Sequence, residues 1–227
     1  MILLLMLALQ CAPTQAAAVT VAGSVVRSKQ WVIRRGNAKE EEFIGDVRYQ
    51  SAGRSLSADW ALYTHRDRTW QARGAITVRH LFDDGSQMTA RGQFARHNEE
   101  AKQGFMQPAP GGRIRFTRTL PGGEPDYGDG GRVSWNDERT VTISSGVKIW
   151  GPRLEVASDT AIYDRLLRQL TLRGGRPVVH TLQGEWIAAL KADEIDAYES
   201  PRRLDARGAA SGWILFSDTI KLEGSPK

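Results

Sequence analysis

The stretch Leu56-Ser57-Ala58-Asp59-Trp60-Ala61-Leu62-Tyr63, followed by Trp70-Gln71-Ala72-Arg73-Gly74, decides how the chain folds. Leu56 and Ala58 share even parity, whereas Ala61 and Tyr63 share odd parity, so the apolar side of this strand changes at Asp59. Successive side chains of a strand point to opposite faces. A change of parity therefore requires a bulge or a corner, where a strand passes from one sheet to another. The pattern returns. Ser158-Asp159 leads to Ala161 and Tyr163, then to Leu170-Thr171-Leu172-Arg173-Gly174, with the same switch after Val156 and Ser158. Ala192-Asp193 leads to Ala197 and Tyr198, then to Leu204-Asp205-Ala206-Arg207-Gly208. In all three copies the Gly follows the Asp by 15 residues, and a degenerate fourth copy runs from Met88-Thr89-Ala90-Arg91 to Gly104. Fixed spacing marks an internal repeat. Its physical reading is a strand through the Asp, a turn, and a return strand ending at a Gly that permits the next corner. Asp59, Asp159 and Asp193 recur with the fold unit, which gives them a structural role, bonding backbone at the corner.

Working outward, alternation with period two continues through Val47-Arg48-Tyr49, Ile76-Thr77-Val78, Ile114-Arg115-Phe116, Val141-Thr142-Ile143 and Val147-Lys148-Ile149. Turn chemistry separates these runs at Arg35-Gly36-Asn37, Ala52-Gly53, Arg66-Asp67-Arg68, Asp83-Asp84-Gly85, Asn136-Asp137 and Ser200-Pro201, with Asp84-Gly85 the strongest hairpin signal. Gly184 to Tyr198 also fits a short helix through Trp186, Leu190 and Glu194, but its tail belongs to the repeat and favours strand. The class is all-β: an elongated, open roll of bent antiparallel strand pairs. Residues 104–131 break the pattern, holding 8 of the 23 Gly and 4 of the 9 Pro. They read as a loop-rich insertion with one isolated strand, Arg113 to Thr119, inside a single domain over residues 19–222 that ends in a tail at 223–227.

Hydrophobic residues form 41% and charged residues 25% of the 227, which excludes wholesale disorder. The longest apolar run, Ile2 to Leu9, is short of the roughly 18–20 residues that span a bilayer. Followed by Ala16-Ala17-Ala18, it reads as a secretory leader over residues 1–18, cleaved after Ala18. The expected compartment is the periplasm. Cys11, the one cysteine, lies inside the leader, so the mature chain forms no disulfide. The net charge of +5 comes from 31 basic and 26 acidic residues. Its arginines are scattered rather than clustered with aromatics, so nucleic acid is not an expected partner.

The sequence offers little for catalysis. His65, His80, His97 and His180 lack metal-ligand spacing and read as solvated histidines. No nucleophile elbow or phosphate-binding Gly loop occurs. Glu40-Glu41-Glu42 and Asp83-Asp84 read as adjacent acids in or near turns, not as a facing pair. The expectation is a protein without catalytic residues, metal or cofactor. What remains is a groove. Six tryptophans (60, 70, 135, 150, 186 and 213) fall in strand segments, and inward apolar strands can open along one side into a channel for lipid. By parity its wall consists of Val47, Tyr49, Leu56, Ile76, Val78, Val141, Ile143, Val147 and Ile149. An open roll also leaves unpaired end strands that invite pairing with another chain. The candidates are Ser24 to Ile33, with Val25, Val26 and Val32, and Gly212 to Leu222, with Ile214 and Phe216.

Gly45-Asp46-Val47-Arg48-Tyr49, Leu56-Ser57-Ala58-Asp59, Tyr63 and Ala72-Arg73-Gly74-Ala75-Ile76-Thr77-Val78 resemble the repeat of the OstA-like (LptA–LptC) superfamily of lipopolysaccharide-transport proteins. The resemblance covers roughly residues 24–216 and is carried by a degenerate motif. It implies a β-jellyroll, or β-taco, without catalytic residues, whose apolar interior carries lipid A acyl chains across the periplasm. It also implies edge strands that pair with neighbouring jellyrolls at the inner and outer membranes, or head to tail with further copies of the chain. A soluble bridge of this kind is the first expectation. A membrane-anchored LptC-type member and a fully packed structural β-solenoid that binds no lipid are the alternatives.

Overall fold

The computed structural model describes residues 17–21, 24–36, 39–82, 85–137, 139–152, 154–183, 186–199 and 202–216, and every regular element among them is an antiparallel strand. In chain order these are β1 (Ala17–Val21), β2 (Ser24–Ser28), β3 (Gln30–Arg34), β4 (Glu40–Ser51), β5 (Arg54–Thr64), β6 (Thr69–Leu81), β7 (Gln87–Asn98), β8 (Gln103–Gln107), β9 (Ile114–Thr119) and β10 (Asp126–Gly130). They continue as β11 (Arg132–Asn136), β12 (Thr140–Trp150), β13 (Leu154–Asp164), β14 (Gln169–Arg173), β15 (Val178–Gln183), β16 (Trp186–Lys191), β17 (Glu194–Glu199), β18 (Arg202–Arg207) and β19 (Ser211–Phe216). The stretch that fits a short helix is therefore strand in its described part.

Every long strand is bent. The first half of β4 pairs with β3 and its second half with β2. In the same way β7 divides between β8 and β9, β12 between β11 and β10, and β13 between β14 and β15. Elsewhere two short strands in series do the same work: β2 with β3, β8 with β9, β10 with β11, β14 with β15, β16 with β17, and β18 with β19. One sheet is thereby folded lengthwise into two wings. Wing A runs from β3 through the halves of β4 to β7, then β8, β11, β12, β13, β14 and β17 to β18. Wing B runs from β1 and β2 through the other halves, then β9, β10, β12, β13, β15 and β16 to β19.

The corner chemistry is local. Pairing register slips between Ile44 and Val47, between Ser57 and Trp60, between Arg73 and Ile76, and between Ser144 and Val147. Left-handed residues sit at these slips, Gly45 with Asp46 and Ser145 with Gly146. On β5 the buried side switches from Ala58 to Ala61 and Tyr63, as the parity demands. The repeated Asp and Gly meet across this fold line. The Ala75 N–H donates to Asp59 Oδ2 at 3.1 Å, and the Ala209 N–H donates to Asp193 Oδ2 at 3.0 Å. A Cβ on Gly74 would lie 2.1 Å from Asp59 Oδ2, and one on Gly208 would lie 2.1 Å from Asp193 Oδ2. The Gly is required because the carboxylate occupies that space.

Three expectations need correction. Residues 104–131 are not an insertion: β8 with β9, and β10 with β11, are two bent strands in the continuous ladder, and β9 is paired on both sides. Their Gly and Pro clusters sit at corners and turns. Gly104 does not end a fourth copy, because it lies inside wing A, paired with His97 and Trp135. Val25 and Val26 are not on an edge, since β2 is paired on one side by β1 and on the other by β4. The free edges among the described residues are β1 and β19 in wing B and β3 and β18 in wing A. Val32 lies on β3, Ile214 and Phe216 on β19. The leader lies outside the described residues except for Ala17 and Ala18, which open β1, and so do Asp83, Asp84 and the tail.

Candidate functional site

The inner faces of the wings form a gradient. Next to the fold line the inward side chains are sealed: Val47, Ile76 and Val147 are each 1% exposed and Ile143 8%. Two residues further from the corner on the same face, Tyr49, Val78, Ile149 and Val141 are half-buried, and so is Leu56 beyond Ala58. Phe116 beyond Ile114, Leu154 beyond Val156 and Leu170 beyond Leu172 repeat the step. The nine inward positions therefore divide. Val47, Ile76, Ile143 and Val147 are packing residues of the hinge, and Tyr49, Leu56, Val78, Val141 and Ile149 are half-buried side chains packed against that core further from the corner. Alternation tells which face a residue takes, whereas depth depends on its distance from the corner.

The N-terminal end of the interior is filled by rings. Phe43 stacks between Trp31 and Trp70, at centroid distances of 6.4 and 6.0 Å, and Tyr63 lies 4.6 Å from Trp70. Val47 and Tyr49 belong to this cluster, while the other seven positions belong to the long core that continues to Ile195. Polar ends of these rings are met by carboxylates. Trp70 Nε1 donates to Glu99 Oε1 at 2.8 Å, the Tyr63 hydroxyl donates to Glu99 Oε2 at 3.0 Å, and Trp31 Nε1 donates to Glu41 Oε2 at 3.2 Å. On the outer face Trp60 Nε1 donates to Glu42 Oε1 at 2.7 Å. Glu40-Glu41-Glu42 thus open a strand directly after a turn, and Glu41 and Glu42 receive indole donors. Burial pushes the Tyr63 hydroxyl up to about 12, with the Glu99 carboxylate adding to the shift.

The mouth is bridged at two points that the sequence did not reveal. The Arg118 guanidinium of wing B stands 6.0 Å from the ring centre of Tyr163 in wing A. Arg165, on the turn after β13, stands 5.2 Å from the ring centre of Phe82, just beyond β6. Cation–π contacts of this kind are individually weak, about 0.5–1 kcal/mol where solvent reaches them. Asp126 is paired across from Arg118. Burial raises its carboxyl above the ordinary range and the Arg118 charge opposes this. At the base of the turn that carries Arg165, Asp164 accepts from the Leu166 and Leu167 N–H groups at 2.9 and 3.1 Å, and from Arg139 Nε at 2.9 Å. These bonds, that from Leu167 foremost, hold the Asp164 carboxyl below its ordinary value.

The histidines are engaged rather than simply solvated. His65 Nε2 lies 2.6 Å from Glu41 Oε1, His97 Nδ1 accepts from Trp135 Nε1 at 3.1 Å, His80 Nδ1 accepts from Arg54 Nε at 3.2 Å, and His180 stands 3.7 Å from Glu155. Among the described residues no group of three His, Cys, Asp or Glu could hold a metal ion, and no helix is long and apolar enough to cross a membrane. What the arrangement offers chemically is an apolar inner surface, sealed at the hinge and half-open toward the mouth. No protein-family model and no curated protein matches the chain.

Proposed function

We propose that the chain is an exported lipid carrier with an open β-jellyroll of the OstA-like kind, holding the acyl chains of lipopolysaccharide or a related glycolipid between its wings. The observation that carries this reading is the exposure gradient. A hinge of sealed Val, Ile and Leu gives way to half-buried Leu56, Val78, Val141 and Ile149, which is the distribution a trough requires. Apolar surface left half-covered is the source of affinity for an acyl chain, at roughly 25 cal/mol per Å² removed from water. End-to-end assembly with other β-jellyrolls would use the free edges, and β19 suits it because Trp213, Ile214 and Leu215 are all at least half exposed.

The test is a photo-crosslinking side chain at Val78 or Val141 in cells, followed by a blot for lipopolysaccharide. Crosslinking from both positions, and its loss in Leu56→Asp, is the expected result. A carboxylate there meets a desolvation cost of a few kcal/mol when lipid covers it. Absence of lipid adducts from both positions in a folded protein would favour the fully packed structural roll.

A further inference from the structure

Wing B carries a line of positive charge across its outer face. Arg27 is directly across from Arg48, Arg91 is directly across from Arg115, and the same transverse row continues through Asp129 to Lys148 and later Lys191. All six cations are exposed, and Val26, Val47, Ile114 and Val147 beside them point inward, so the row faces away from the trough. The one acid in it is already committed, since Arg113 Nε donates to Asp129 Oδ1 at 2.6 Å. Like charges directly opposite on a sheet destabilise it. Arg27, Arg91, Arg115, Lys148 and Lys191 nevertheless have no acid within ion-pairing distance among the described residues; Arg48 reaches only its neighbour Asp46.

Wing A handles its arginines differently. Arg34, Arg139, Arg173 and Arg207 pair with carboxylates, and Arg73 and Arg132 lie 4.9 and 4.2 Å from the ring centres of Trp60 and Phe105. Among the described residues unpaired cations stand directly opposite one another only on wing B; Arg96 on wing A also lacks an acid, but it is across from Gln71 and Phe105. Strands lie about 4.8 Å apart, so ten intervals from β2 to β16 make a row on the order of 48 Å long. Adjacent strands are rotated by about 20°, so such a row winds around the molecule. A flat anionic bilayer touches a few strands of a winding row, whereas a flexible polyanion follows all of it. Two residues along the same strands from Asp129 and Lys148, toward the rim, Tyr127 and Trp150 stack at 6.2 Å, each residue 43% exposed, a platform for the C–H face of a sugar ring.

We propose that the outer face of wing B binds an anionic polysaccharide, its sulfate, phosphate or uronate groups seated on this cation row and one sugar ring stacked on Trp150. The site is separate from the space between the wings, so it stands or falls independently of lipid carriage. The test is titration calorimetry of the full exported chain with a heparin oligosaccharide long enough to span the row, a neutral dextran as control, and vesicles of phosphatidylglycerol in phosphatidylcholine for the membrane alternative. Arg91→Glu with Arg115→Glu is expected to weaken heparin binding by roughly tenfold or more and to flatten its salt dependence. Arg66→Glu with Arg96→Glu, the same change of net charge placed on wing A, is expected to change it less than about twofold. Trp150→Ala is expected to weaken binding without altering the salt dependence. The Glu variant exchanges one like-charge pair for another and sets a carboxylate across from Asp129, so the fold control is Arg91→Gln with Arg115→Gln, which removes the pair outright: it should lose binding at an unchanged or higher melting temperature, which separates lost binding from lost folding. Equal loss in the two double variants, no heparin binding by the wild type, or tighter binding to vesicles than to heparin would each overturn the proposal.

Discussion

Placing a methyl group at Gly74 tests whether the Asp–Gly spacing of the repeat is a steric requirement. Gly74 has φ of 83°, in the left-handed region, and its added Cβ would stand 2.1 Å from Asp59 Oδ2 and 2.5 Å from Asp59 Cβ and Cγ. An L-residue in that region costs about 1–2 kcal/mol. Asp59 must also move, breaking the 3.1 Å bond to the Ala75 N–H, a solvent-exposed hydrogen bond worth about 1 kcal/mol. Gly74→Ala should therefore destabilise by about 2–3 kcal/mol in urea unfolding followed by tryptophan fluorescence. Gly174→Ala is the internal control: φ is 75° there, but the nearest Asp159 atom is 2.9 Å away, so the cost should fall toward the backbone part alone. Asp59→Gly removes every atom in the way, and in that background Gly74→Ala should cost about 1 kcal/mol less than in the wild type. A loss below about 0.5 kcal/mol for Gly74→Ala, or strict additivity in this cycle, would refute the steric reasoning.

Other outcomes follow from the same geometry. Tyr63 holds its proton to about 12 in the fold against 10.0 unfolded, so its contribution is complete below pH 10 and is lost as pH rises toward 12. Tyr63→Phe should remove about 2 kcal/mol of alkaline destabilisation, read as a flatter stability profile above pH 10. Asp164 is depressed, so its contribution is present above about pH 4 and lost as pH falls through the folded value; the stability gap between wild type and Asp164→Asn should close in acid. Replacing Arg118 and Arg165 with Gln should speed uptake of a fluorescent fatty acid severalfold while leaving the melting temperature within a few degrees; unchanged uptake would count against the bridges as a barrier. Ile214→Pro should reduce concentration-dependent self-association in sedimentation without unfolding the N-terminal half; a wild type that is monomeric at every concentration would end the edge-pairing idea.

The fold was legible where the sequence carries two signals at once. At Asp59 and Asp159 a parity switch and a fixed distance to Gly coincide, and both corners are where the strands bend. Between Gly104 and Gly131 the bent strands are broken into halves of five or six residues, too short for alternation to show, and the glycines that make the corners look like loop. The edges failed for a different reason. Val25 and Val26 have the apolar character of an end strand, but β1 pairs alongside them, and its small residues adjoin the leader in composition. Of the interior, the sequence reveals the facing of Val47, Ile76, Val141 and Val147 but not their depth. The bridging of the mouth by Arg118 and Arg165 joins residues far apart along the chain and leaves no local trace.

From β2 onward, each bent strand pairs only with the bent strands before and after it in sequence, all the way to β19. Such a molecule behaves as a one-dimensional polymer whose monomer is a bend. Cooperativity then passes from neighbour to neighbour, melting starts from the ends, and damage in mid-chain divides the protein into two shorter segments that each keep their order. Length becomes a parameter that evolution can adjust by duplicating one pair of whole bent strands, with no rearrangement elsewhere. A tandem duplication of residues 54–86, which carries both halves of β5 and of β6, should therefore give a longer protein with the same corners, in which both carboxylates still rest on their glycines.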